Sequence, residues 1–220
     1  MVSRSAARLS RDRIFDAAVA VADADGIDAV TMRRLAAELG AHPTSLYHHL
    51  PSKEAILDGL VERMFDEMRL ASSFTAWQDW ARGFAAGMRR AARAHPGAFL
   101  VLTRRPAVTT AAMRNTEGAL EALTRAGLSL STAADALAAV SLAVLGLALN
   151  ECVPAAAVPT VTTVGGLDEF PMLRAAATAA SAVGTAANGP ATNDAVWDLA
   201  VGMLVNGLKF LIAQGSGPRR

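Results

Sequence analysis

Residues 31–57, TMRRLAAELGAHPTSLYHHLPSKEAIL, restrict what this chain can be more than any other stretch. Thr31 can cap a short helix whose Leu35, Ala36 and Leu39 fall on one face, while Arg33 and Arg34 project elsewhere. Gly40 stands where a helix commonly ends in the left-handed conformation. Only Ala41 and His42 separate it from Pro43, whose fixed backbone angle suits the first turn of a second helix. There Leu46 and Leu50 face inward, which leaves Thr44, Ser45, Tyr47, His48 and His49 toward solvent. Pro51 ends that helix. Ser52 caps a third, with Leu57, Leu60, Val61, Met64 and Phe65 as its apolar stripe. An exposed helix carrying hydroxyls, a phenol and imidazoles, held by a tight turn, is a device for entering the major groove of DNA.

The preceding segment completes a small three-helix unit. Ser10 is a candidate cap, and Ile14, Ala18, Val21 and Ala22 repeat at helical spacing before Gly26 closes the element. Arg4, Arg8, Arg11 and Arg13 form a basic lead-in, which reads either as a phosphate or minor-groove contact or as a solvated tail. Net charge is only +1, so any attraction for nucleic acid comes from local placement. A single cysteine, Cys152, excludes an internal disulfide and suits a reducing cytoplasm. The arginine-rich start lacks the apolar core of a signal peptide.

Beyond residue 70 the pattern is helical throughout, so the fold class is all-α. Helices are expected at 75–94 (Trp77, Trp80, Ala81, Phe84, Met88), at Phe99 to Arg104, at 107–126 up to Gly127, and at 170–183. Pro154, Pro159, Gly165 and Gly166 mark one loop, and VGTAANGPATN a second. Two long apolar helices, about 131–152 and 194–214, carry small residues (Ala138, Ala139, Gly146, Gly202, Gly207) that permit close approach. With 52% hydrophobic residues and polar interruptions such as Asp135 and Ser141, a core and subunit interface explain these runs better than a membrane span. They suit a four-helix bundle across a two-fold axis, and a homodimer would present two reading helices to two half-sites.

The run from Arg13 to Phe65, above all DAAVAVADADGIDAVTMRRLAAELG and TSLYHHLPSKEAILDGL, resembles the DNA-binding domain of TetR-family transcriptional regulators. RAGLSLSTAADALAAVSLAVLGLALNE, FPMLRAAATAA and AHPGAFLVLTRRP resemble the regulatory domain of the tetracycline repressor subgroup. The resemblance implies a helix-turn-helix DNA-binding domain over 1–51 and a helical ligand-binding and dimerisation domain over 52–220. It places the Leu46–Tyr47 pair in the recognition helix and Lys53 on the phosphate backbone. The DNA-facing set is then Thr31, Arg33, Pro43, Thr44, Ser45, Tyr47, His48, His49 and Lys53. His42 replaces a more usual serine cap, and Pro43 replaces a residue that in relatives reaches a base.

The same resemblance implies a regulator, most often a repressor, whose dimer is released from a palindromic operator by a small molecule. The subgroup's drug–magnesium ligands are largely replaced here. Apolar Val101, Phe84, Met88, Ala119 and Leu142 stand at five of those positions, Asn150 at a carboxylate and Arg69 at a histidine. A more apolar inducer is implied, with no cofactor. The candidate pocket comprises Phe84, Met88, Val101, Leu102, Met113, Leu142, Leu145 and Leu149, with Arg69, Arg104, Thr116 and Asn150 as polar anchors.

Competing readings are an activator, a ligand-binding protein without DNA release, and a small helical enzyme. His95, Cys152, Glu151 and Asp135 supply enzyme-like chemistry but no recognised motif. Adjacent His48 and His49 point about 100° apart on a helix, which argues against a metal site.

Overall fold

A computed structural model describes residues 9–71, 73–153, 169–182 and 194–215. Every element among them is helical, with no strand. Arg4, Arg8 and the two expected loops, at 154–166 and 183–193, lie outside the described residues; Arg11 and Arg13 belong to the first turn of α1.

The reading unit is α1 (Arg11–Asp25), a 3-10 turn (Ile27–Ala29), α2 (Met32–Glu38) and α3 (Pro43–Tyr47). Each helix starts on a side chain that satisfies an otherwise orphaned N–H. Ser10 Oγ accepts from Arg13 at 3.3 Å, Thr31 Oγ1 from Arg34 at 3.1 Å, and His42 Nδ1 from Thr44 at 3.4 Å. Ile14, Ala18, Val21 and Ala22 bury one face of α1 against Val30, Leu35 and Leu46.

Helix α4 (Lys53–Met68) begins at Ser52, whose Oγ accepts from Ala55 N–H at 3.2 Å. Its buried face is Ile56, Leu60, Val61, Met64 and Met68. The expected stripe is therefore rotated: Leu57 and Phe65 sit on the flanks, half-buried, because α4 is clasped between α1 and α5 and aims its centre line at both. Helix α5 (Trp77–Ala94) ends in a corner leading to a 3-10 segment (Ala98–Thr103). Helix α6 (Thr110–Arg125) starts later than the expected residue 107, because Thr109 Oγ1 is its cap, accepting from Ala112 N–H at 3.2 Å. Helix α7 (Leu130–Leu149) tightens into a 3-10 turn (Asn150–Cys152), and α8 (Pro171–Ala182) and α9 (Asp194–Gly215) follow.

One apolar core runs without a break from Ile14 to Leu208, with Trp80 and Phe99 its largest fully buried side chains. Two contacts fix α4 within it. Arg90 of α5 donates to the carbonyls of Glu67 and Met68 at 3.2 and 2.6 Å, capping the C-terminus of α4. Gly87 lies so close that a Cβ there would stand 2.7 Å from the Met68 carbonyl oxygen. By length and composition, Leu130–Cys152 and Asp194–Gln214 are each long and apolar enough to cross a membrane. Both pack on α5 in this core, through Val140, Val144, Ala148, Trp197, Val205 and Leu208.

Candidate DNA-reading surface and ligand cavity

The turn between α2 and α3 is built by its backbone. Gly40 adopts φ 61°, and the Gly40 and Ala41 N–H groups return to the carbonyls of Ala37 and Ala36 at 3.2 and 2.9 Å. Those two bonds satisfy the end of α2 and reverse the chain within three residues. Helix α3 is then held from beneath by Leu46 and Leu50, both fully buried. Tyr47 is 52% exposed, and Thr31, Arg33, Thr44 and His48 are exposed beside it. Pro43, Ser45, His49 and Lys53 are half-buried; Ser45 and His49 flank the Leu46–Leu50 face and open less to solvent than helical alternation alone suggests. The neighbouring Arg34 is held by Asp25 at 3.0 Å and Glu38 at 3.5 Å.

A cavity of about 190 Å³ lies among α4, α5, α6 and α7. Phe65, Phe84, Met88, Leu102, Ala107, Ala112, Asn115, Thr116, Leu137, Ser141, Leu142 and Leu145 line it. Phe84, Met88, Leu102, Thr116, Leu142 and Leu145 were expected there; the other expected residues stand elsewhere. Val101 is fully buried core. Arg69 takes a left-handed φ of 47° at the end of α4 and borders a separate hollow with Leu70 and Phe74. Met113, one α6 position off the cavity face, is 54% exposed on the side toward α1. Leu149 is half-buried outside the lining, and Asn150 donates to the Gly146 carbonyl at 3.1 Å. Arg104 turns away to pair with Asp28 through two contacts, the longer 3.1 Å. Phe65, Ala107, Ala112, Asn115, Leu137 and Ser141 line the cavity without having been expected there. Phe65 reads as part of the α4 stripe, Ser141 as a polar interruption of α7, and an asparagine inside a helix announces nothing by spacing. Among the described residues no histidine or carboxylate lines the cavity, a lining that does not fit a drug–magnesium chelate.

The 3-10 segment under the cavity also grips the reading unit. Asp23 of α1 accepts the Gly97 and Ala98 N–H groups at 3.0 and 2.9 Å and pairs with His95 Nδ1 at 2.8 Å. Gly97 is required there, since a Cβ would meet the Ala22 carbonyl oxygen at 2.0 Å. Beyond it Arg104 holds Asp28, and Arg105 holds Asp58 of α4 at 2.6 Å. The Arg104 hydrogen bond, then its charge, hold the Asp28 carboxyl below its ordinary range. A lowered folded pKa means the pair contributes above the usual carboxylate range and is lost only as pH falls through the lower, folded value. Leu102, in the middle of this segment, lines the cavity.

Comparison with known proteins decides what this arrangement is. Residues 14–60 match the profile described as bacterial regulatory proteins, tetR family, and residues 73–210 match that of the tetracyclin repressor-like C-terminal domain. The chain belongs to the TetR family of transcriptional regulators. An HTH-type transcriptional regulator of Saccharopolyspora erythraea is 38% identical over 152 residues, covering 69% of this chain and 64%, a little under two thirds, of that protein. The class A tetracycline repressor from transposon 1721 of Escherichia coli is 30% identical over 225 residues, covering 97% and 98% of the two chains. Among solved structures, the Streptomyces coelicolor TetR family protein ActR in complex with actinorhodin superposes with a TM-score of 0.69 at 25% identity, over 96% of this chain and 100% of that one. These relatives are regulators, not enzymes, and this TetR-family chain is not an enzyme.

The enzyme-like residues have structural places in this regulator. Glu151, with a side chain only 1% exposed, lies between Arg89 Nε at 2.7 Å and Arg93 Nε at 2.9 Å. Both arginines also reach Asp194 at the start of α9, and Arg89 lies 4.7 Å above the Trp197 ring. This network ties α5, α7 and α9 together. Burial first, then the charges of Glu151 and Asp23, push the Cys152 thiol up to about 11. Iodoacetamide is therefore expected to modify Cys152 in the folded chain at pH 8 roughly a hundredfold more slowly than an ordinary thiol, because little thiolate is present. A rate equal to that of the unfolded chain would contradict the burial.

Proposed function

We propose that the chain represses transcription by binding a palindromic operator as a homodimer, and leaves it when an uncharged, mainly apolar molecule enters the cavity. The observation that carries the reading is the outward placement of Tyr47, the last residue of α3, and of His48, its C-cap, over the buried Leu46 and Leu50. The helix ends at Tyr47, short of the expected Leu50, and a turn carries His48 and His49. Thr31, Arg33, Pro43, Thr44, Ser45, His49 and Lys53 complete the surface toward DNA, with Lys53 on phosphate and Tyr47 and His48 at base edges or sugars.

Two features support the dimer. Leu199, Met203 and Phe210 leave apolar surface uncovered on α9, each at least 64% exposed. Gly146, Gly202 and Gly207 sit within helices, each at a cost of about 1 kcal/mol against alanine, yet a Cβ on any of them meets nothing within 4 Å. Nothing among the described residues of the subunit needs those glycines. Close packing of a second copy's helices does.

The link from ligand to DNA runs through the 3-10 segment. A molecule that displaces Leu102 strains a segment whose ends hold Asp23 and Asp28 of the reading unit and Asp58 of α4. A coupling of about 1–3 kcal/mol would alter operator affinity roughly 5- to 150-fold, provided the ligand prefers one arrangement.

The deciding experiment is an electrophoretic shift with the DNA upstream of the chain's own gene, in excess competitor. A sequence-dependent shift sensitive to competing half-sites is expected; equal affinity for random DNA would end the reading. Lys53→Ala should weaken binding to specific and random DNA alike and lower the salt slope by about one unit. An unchanged slope removes Lys53 from the phosphate contacts.

A further inference from the structure

The cavity contains one group that the fold does not use. Asn115, on the second turn of α6, is 6% exposed, and its Oδ1 is fully buried with no hydrogen-bond partner among the described residues. An unpaired buried amide is costly, and native chains rarely keep one without a use. Burying this side chain does not require asparagine: leucine has the same branched shape and number of side-chain heavy atoms, is somewhat larger, and has no polar atoms to satisfy. The rest of the floor is apolar, formed by Phe84, Met88 and Ala112. The rim differs. Thr116 is exposed and Leu142 is 71% exposed, so the cavity opens on that side and Asn115 stands at its inner end.

We propose that Asn115 is the anchor that recognises the inducer, and that the inducer is an uncharged, compact, largely apolar molecule whose leading end carries a hydroxyl. The inference rests on reading the cavity as the ligand site. Three points fix the class. Among the described residues no lysine, arginine, aspartate or glutamate lines the cavity, so an ionic group would be stripped of water with no counter-charge. Phe65, Phe84 and Met88 offer ring and thioether contacts that suit a flat aromatic body. A primary amide presents an acceptor and a donor that exchange places on rotation, and a hydroxyl satisfies either. At about 190 Å³ the space is smaller than the roughly 300–1,000 Å³ typical of drug-sized ligands. It takes a small molecule whole, or the inserted end of a larger one.

The test compares 2-naphthol, naphthalene and 2-naphthalenesulfonate as probes of the purified full chain, by calorimetric titration. The expected result is 2-naphthol at least tenfold tighter than naphthalene, with no measurable heat from the sulfonate. In Asn115→Leu the hydroxyl preference should fall to within about twofold, while the melting temperature stays equal or rises, since an unsatisfied polar group has been removed. Asn115→Ala, which introduces no bulk, should lose the same preference. Equal binding of 2-naphthol and naphthalene overturns the assignment of Asn115 but leaves the cavity as an apolar ligand site. So does a preference that survives in both variants. A marked fall in the melting temperature of both Asn115→Leu and Asn115→Ala shows a structural asparagine and also overturns it; if only the larger leucine destabilises, Asn115→Ala decides. Failure of all three probes to bind removes the cavity reading itself.

Discussion

Tyr47→Ala and His48→Ala, each made in the full chain, should lower specific operator affinity about 5- to 150-fold, the range for losing one base or sugar contact worth roughly 1–3 kcal/mol. Affinity for random DNA should change little, so the ratio of specific to non-specific binding falls with it. The physical case is the division of labour along α3. Leu46 and Leu50 are fully buried and hold the helix, whereas Tyr47 is 52% exposed and contributes almost nothing to the core. Removing its ring should leave helix content, melting temperature and oligomeric state as they are. The two variants therefore separate reading from folding. A Tyr47→Ala protein that keeps full operator affinity would show that the helix entering the groove is not this one.

Glu151→Ala is expected to have the largest effect on stability. The carboxylate is 1% exposed between two guanidinium groups, and one of these, Arg89, is itself only 13% exposed. Breaking a buried pair leaves the partner charge in a poorly solvating place, which costs about 3–5 kcal/mol. Arg93 is 46% exposed and can turn to water, so the low end applies. About 3 kcal/mol corresponds to roughly 6–12 °C in melting temperature for a chain of this size. The loss should not stop at stability. Glu151 and Asp194 together hold Arg89 over Trp197, which seats the first turn of α9. Weaker dimerisation at low protein concentration should accompany the lower melting temperature. Analytical ultracentrifugation beside a thermal scan would show both, and a variant as stable as its parent would mean the network is ornamental.

The helices were legible in the sequence wherever a cap and an apolar period coincide. Ser10, Thr31 and Ser52 all accept the N–H bonds expected of caps, and Thr109, for which no cap was expected, shows that a cap and not the first apolar residue fixes where α6 begins. The resemblance to TetR-family regulators was readable from the same stretch. The cavity was legible only in part, because periodicity shows which face of a helix is apolar but not what that face meets. Val101 and Phe84 look equivalent along the chain, yet one is enclosed by core and the other fronts a space. Long polar side chains misled in a different way. Arg69 and Arg104 were placed by position, but an arginine goes to its carboxylate or its solvent, and Asp28 lies 76 residues from Arg104. The Asp23 corner escaped notice for the same reason.

The cap that Arg90 sets on the last carbonyls of α4, reinforced by the close approach of Gly87, gives that helix a fulcrum at its C-terminal end. Sixteen residues at 1.5 Å each make a rod about 24 Å long. With its fulcrum at Met68, a swing of about 5° carries the opposite tip, where Ser52 meets the reading unit, through roughly 2 Å. In the proposed operator-bound dimer, such leverage would convert a displacement too small to disturb the core into one large enough to throw one reading helix out of step with its twin.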